Sequence, residues 1–197
     1  SSTGTELTLE AASSNFPAQD DGVAIVNLSQ SFNLYGQTIS RLAISSNGYI
    51  STSTSETGDD FDNDCPLPRV PNRGATAAAR IMPLHDDLIS EHIYHQHFST
   101  CPRQSDLGNN LSCDIFMYDN VDLWQTTNVT ENFSFEAILY PTVNQWVYQY
   151  SGTGFNPASS SVGLQNNNAT DGASFSCNTN NGINTNQAVC IYHANNQ

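Results

Sequence analysis

Apolar and polar residues alternate along most of this chain, in short runs. "NFSFEAILY" places Phe133, Phe135, Ala137 and Leu139 on one side of an extended segment, and "QWVYQY" sets Trp146, Tyr148 and Tyr150 against Val147 and Gln149. A two-residue period is that of a strand with one buried face. Similar β-rich runs are "ELTLEA", "GVAIVNLS", "RLAISSNGYISTS", "ARIMPL", "EHIYHQHFS", "CDIFMYDNVDLW", "SVGLQ", "ASFSC" and "AVCIYHA", with turn residues between them. Within "SSNGY", the Asn47-Gly48 pair accepts positive φ and predicts a hairpin. "GATAAARI" is helix-like but too short to define a helix by itself.

The pattern therefore predicts an all-β chain: a β-sandwich of about eleven short, mainly antiparallel strands with long surface loops. The 197 residues suit a single domain large enough to bury a core without metal or disulfide staples. Residues 51–74, with the acids of "DDFDND" and the prolines of "PLPRVP", are expected to form a long surface loop.

Composition narrows the function classes. The net charge is −14, and all five basic residues are arginine. Such a surface repels phosphate backbones and anionic lipid, so neither nucleic acid nor a membrane surface is an expected partner. Only 12% of residues are charged, about half of the usual share. Polarity comes instead from 23 Asn, 23 Ser and 17 Thr. No apolar run approaches the roughly 20 residues of a membrane span. The opening "SSTGTELTL" would suit a mature N-terminus.

Five cysteines form no CxxC pair. Cys101 and Cys113 stand at the two feet of one polar excursion, and Cys177 and Cys190 at the feet of another, which predicts a disulfide across each. Disulfides imply an oxidising compartment, and Cys65 is then left over.

Read in order, "FNLYG" (32–36), "ISSNGYIS" (44–51), "IMPLHDDL" (81–88), "IYHQHF" (93–98), "IFMYDNV" (115–121), "FSFEAILY" (133–140), "QWVYQY" (145–150) and "VGLQN" (162–166) resemble the nidogen-like extracellular domain, particularly its secreted bacterial relatives. The resemblance spans roughly 30–192. It implies a secreted β-rich domain of adhesion and matrix proteins without catalytic machinery. His95 and His97 depart from it, since tyrosine-like aromatics are expected in that strand. Residues 1–29 precede the resemblance and read as an N-terminal strand extension available for assembly. In its "TELTLEA", Leu7, Leu9 and Ala11 share one face, which must be buried somewhere. Added to a neighbour's sheet edge, that strand would build a fibre.

Two stretches carry candidate ligands. Strand geometry puts His95 and His97 on one face, and with His85 or Asp86 they would take Zn²⁺ or Cu²⁺. The competing reading is an aromatic ring kept on a half-exposed sheet face, with "HDD" capping a turn. Asp60, Asp62 and Asp64 alternate as at the start of a calcium loop, but the Gly and Glu of an EF-hand are missing. A solvated acidic loop is the alternative. No GxSxG elbow occurs, and Cys65 among acids is a poor nucleophile. The sequence thus predicts a secreted, non-enzymatic structural or adhesive protein with no required cofactor, partnered by itself or by other surface proteins and glycans. The competing function is a glycan- or calcium-binding module of a secreted enzyme or adhesin.

Overall fold

The two-residue periodicity becomes strand in the computed structural model, which describes residues 4–124, 132–153 and 158–192. Thirteen strands follow along them: β1 (Thr5–Glu6), β2 (Glu10–Ala11), β3 (Gly22–Leu34), β4 (Gln37–Ser45), β5 (Ile50–Ser51), β6 (Arg80–His85), β7 (Leu88–Phe98), β8 (Cys113–Leu123), β9 (Asn132–Tyr140), β10 (Gln145–Thr153), β11 (Ser161–Gln165), β12 (Gly172–Cys177) and β13 (Ala188–Ile191). They form a six-stranded sheet, β1-β7-β8-β9-β10-β13, and a seven-stranded sheet, β12-β11-β6-β5-β4-β3-β2. The two pack as a β-sandwich, the class that the alternation predicts. "GATAAARI" forms turns leading into β6, not a helix.

The core lies between the sheets. Phe116, Tyr118, Phe133, Phe135, Trp146, Tyr148 and Tyr150 face Phe32, Leu42, Ile44, Ile81, Val162 and Leu164. Each buried side chain of this size contributes about 1.5–3 kcal/mol. Tyr118 stacks on Phe135 at 4.4 Å, and Phe32 meets Trp146 edge-on at 5.7 Å. Buried tyrosines need a partner for the hydroxyl. Tyr148 and Tyr150 donate across the sandwich to the carbonyls of Gly163 (3.0 Å) and Pro83 (2.7 Å).

The Asn47-Gly48 turn forms as expected between β4 and β5. Gly48 has φ +72°, and its Cα lies so close to the Leu84 carbonyl that a side chain would collide with it. Asn47 is wholly buried, donating to Asp21 Oδ1 and the Gly58 carbonyl (both 3.0 Å) and accepting from Leu88 N–H (3.0 Å). The turn therefore joins four segments, not two.

Three expectations are corrected. Cys101 and Cys113 are bonded as predicted, but Cys177 bonds Cys65, and Cys190 is free and exposed. Hydrogen bonding of β11 to β12 brings Cys177 opposite Ser161, whose hydroxyl donates to the Asp64 carbonyl, so Cys65 arrives beside Cys177. Residues 1–29 are not one detachable piece either: β3 starts at Gly22 and buries Val23, Ala24 and Val26 in the seven-stranded sheet. Finally, the 51–74 tract is not simply a surface loop, because Glu56, Asp60, Asp64 and Leu67 are all buried.

Candidate functional site

The acidic tract turns inward because a cation lies beneath it, on the face of the seven-stranded sheet away from the main core. Arg80 opens β6 with its guanidinium fully buried. Asp60 accepts a hydrogen bond from it, Glu56 lies 3.6 Å from Nη2, and Asp64 lies 3.6 Å from Nη1. The Tyr49 ring covers the guanidinium at 4.3 Å, and the Tyr49 hydroxyl donates to Glu56 Oε1 (3.1 Å). Asp62, by contrast, is half exposed and sits 3.9 Å from Arg73. The Asp60, Asp62 and Asp64 set is thus divided, and Arg80 holds the position that a calcium ion would need.

Three carboxylates around one guanidinium leave charge uncompensated. Asp60 Oδ1 and both oxygens of Asp64 are buried without a hydrogen-bond partner. Burial raises the Asp64 carboxyl to about 6, with Asp60 adding to the rise and Arg80 opposing it. The Asp60 carboxyl is raised for the same reason. His85 packs edge-on against Tyr49 at 4.9 Å and lies 2.9 Å from the Asp60 carbonyl through Nε2, which therefore carries the proton. Burial, reinforced by Arg80, pushes its pKa down to about 3. Neutral His85 thus serves as a packing ring in the seven-stranded sheet.

The predicted histidine set is likewise split. His95 and His97 do share a face of β7, but in the six-stranded sheet, away from His85. Both turn to the buried carboxylate of Asp114: His95 Nε2 at 2.9 Å from Oδ1, His97 Nδ1 at 3.4 Å from Oδ2. His95 also stacks on Phe116 at 4.9 Å, which favours the aromatic-ring reading of that position. Asp86 accepts from Asp87 N–H (3.0 Å) and the Ser159 hydroxyl (2.7 Å), as a turn-capping carboxylate does. Among the described residues no group of three or more His, Cys, Asp or Glu side chains is arranged to hold a metal ion. Asp114 and Arg80, which decide both sites, drew no attention in the sequence. The Asp114–His97 register between β8 and β7 would have been needed to find the former.

The N-terminal arm is the third site. Its first strand pairs with β7, Thr5 opposite His95 and Glu6 opposite Tyr94, and Leu7 N–H donates to the Ile93 carbonyl at 2.8 Å. Its second pairs with β3, Glu10 opposite Val23 and Ala11 opposite Gly22. Between them the chain crosses from the edge of one sheet to the edge of the other. Leu7 and Leu9 pack against the main core there. Ala11 is exposed, so it does not share their buried face as the alternation predicts; the strand breaks over residues 7–9. His92 Nδ1 clips the arm from outside, 2.7 Å from Glu6 Oε1, and that hydrogen bond raises the His92 pKa.

A disulfide-bonded, two-sheet antiparallel sandwich of this kind is the architecture of an extracellular β-module. The family model described as NIDO related matches residues 1–197, and the chain belongs to this nidogen-related family. No curated protein matches it. No solved structure matches it either. The family is extracellular, and the two disulfides fit a secreted protein.

Proposed function

We propose that this protein is a non-enzymatic structural and adhesive module that joins copies of itself by exchanging the N-terminal arm. The observation that carries the reading is how the arm is held. Two ladders of two residue pairs each and two leucines dock it on the sandwich, and a loop over residues 12–21 connects it to β3. Its contacts are made with residues beyond that loop, so an identical arm from a neighbour satisfies the same hydrogen bonds and fills the same gap. Exchange then costs only the rearrangement of the loop, the usual low-cost route to assembly. Where each copy passes its arm to the next copy, and not back to the one it receives from, the contact is heterologous and repeats into a filament. Membership of an extracellular family is compatible with such a role.

The test is a cysteine trap in a Cys190→Ser background, with Thr5→Cys and His95→Cys, residues that face each other in register. Oxidation of dilute protein should lock the arm in its own chain and stop assembly. Oxidation of concentrated protein should give a covalent ladder of oligomers on non-reducing gels. Only monomeric cross-links at every concentration, with no polymer of the untrapped protein by light scattering, would refute exchange.

A further inference from the structure

The outer face of the six-stranded sheet carries a cleft that nothing above explains. Register fixes its composition. Tyr94 pairs with Met117, Met117 with Glu136, and Glu136 with Gln149, so these four side chains form one row across β7, β8, β9 and β10. Tyr118, Phe135 and Tyr148, one residue along, point the other way into the core. The next outward row holds Ser134 and Ser151, which are also paired in register. Asn186, in the loop before β13, closes one end. The open cleft has a volume of about 420 Å³.

The chemistry of the row is unusual for a solvated sheet face. The Glu136 carboxyl is raised by burial, and only the distant Arg103 opposes this. Among the described residues neither Glu136, Gln149 nor Asn186 makes a side-chain hydrogen bond, whereas Ser134 is already engaged with Asp119 at 2.8 Å. One half-buried acceptor, two amides that both donate and accept, and the thioether of Met117 therefore line a common space with no side-chain partner among them.

We infer that this cleft binds a neutral polyhydroxylated ligand, a glycan chain laid across the strands. The carboxylate and amides accept and donate to vicinal hydroxyls, while Met117 takes the C–H face of a sugar ring. Charge selects the class. A single carboxylate on a chain of net charge −14 repels uronates and sulfated sugars. A metal cation would want several carboxylates, and the neighbouring Asp119 is held by Ser134.

The test is native affinity electrophoresis, which the strong negative charge makes practical. Gels cast with dextran, laminarin, galactomannan or xylan are compared with gels cast with alginate. Wild-type protein should be retarded by at least one neutral polymer and not by alginate. Glu136→Ala with Gln149→Ala should weaken that retardation at least tenfold, with an unchanged circular-dichroism melt. If the double variant melts early, Gln149→Ala alone should weaken it at least threefold. No retardation by any of the four neutral polymers, equal retardation of the variants, or retardation by alginate would overturn the site.

Discussion

Replacing Asp64 with asparagine should stabilise this protein at neutral and alkaline pH. Both Asp64 oxygens are buried without a hydrogen bond, and the nearest guanidinium nitrogen, 3.6 Å away, is already engaged by Asp60. Burial raises the carboxyl from 3.8 to about 6. A raised carboxyl means that the folded state holds the proton more tightly than the unfolded chain does. Stability from that proton is fully present below 3.8 and is lost as pH rises to about 6. At about 1.4 kcal/mol per pH unit, ionised Asp64 costs the folded state about 3 kcal/mol at pH 8. Asparagine keeps the shape and removes the charge, while Glu56 and Asp60 still neutralise Arg80. Asp64→Asn should therefore match wild type near pH 3.5 and gain stability between pH 4 and 6. By pH 8 it should melt about 6–12 °C higher, at roughly 2–4 °C per kcal/mol for a chain of this size. His85 titrates with the opposite sign, being held neutral with a pKa of about 3, but identically in both proteins, so it drops out of the difference. Thermal melts at half-unit pH intervals measure it. A variant that is less stable at pH 8, or a difference that is flat with pH, would refute the argument. It would mean that the Asp64 charge is required, as it would be by a bound cation.

Two further outcomes follow from the bonding pattern. Cys177→Ser opens a loop of 112 residues closed by Cys65 and should cost about 2–5 kcal/mol in urea unfolding, while Cys190→Ser should change stability by less than about 0.5 kcal/mol; alkylation of the untreated protein should label Cys190 alone. The His92–Glu6 clip has the sign of a raised histidine: its contribution is complete below 6.5 and is lost as pH rises through the raised folded value. Hydrogen exchange at the Leu7 amide, corrected for intrinsic rate, should show more protection at pH 5.5 than at pH 8, and His92→Gln should remove that dependence.

The adhesive reading and the cleft make separate demands on the molecule. Arm exchange uses the open side of the sandwich, where Leu7 and Leu9 bridge the two sheets. The cleft lies on the outer face of β8, β9 and β10. A module polymerised through the one would display the other along its length, turning a weak single-site affinity into a strong multivalent one.

What the sequence determined by itself was local. The alternation in "NFSFEAILY" and "QWVYQY" requires strands because side chains reverse at every extended residue, and burial of one face then requires a second layer. Asn47-Gly48 dictates its turn by backbone sterics alone, and Cys101 and Cys113, 12 residues apart at the feet of one loop, need little else to meet. Everything that depended on which distant segment comes alongside was decided by tertiary structure. Asp60 and Asp64 read as an ion loop until β6 delivers Arg80 between them, and His85 leaves the other histidines because β6 and β7 belong to different sheets. The loop-foot spacing assigns Cys177 to Cys190 and leaves Cys65 over, and only the β11–β12 pairing brings Cys65 to Cys177 instead. Leu7 and Leu9 had to be buried, but not at any particular place. A charge, a thiol or an apolar face states what it needs, whereas long-range strand order decides what is near enough to supply it.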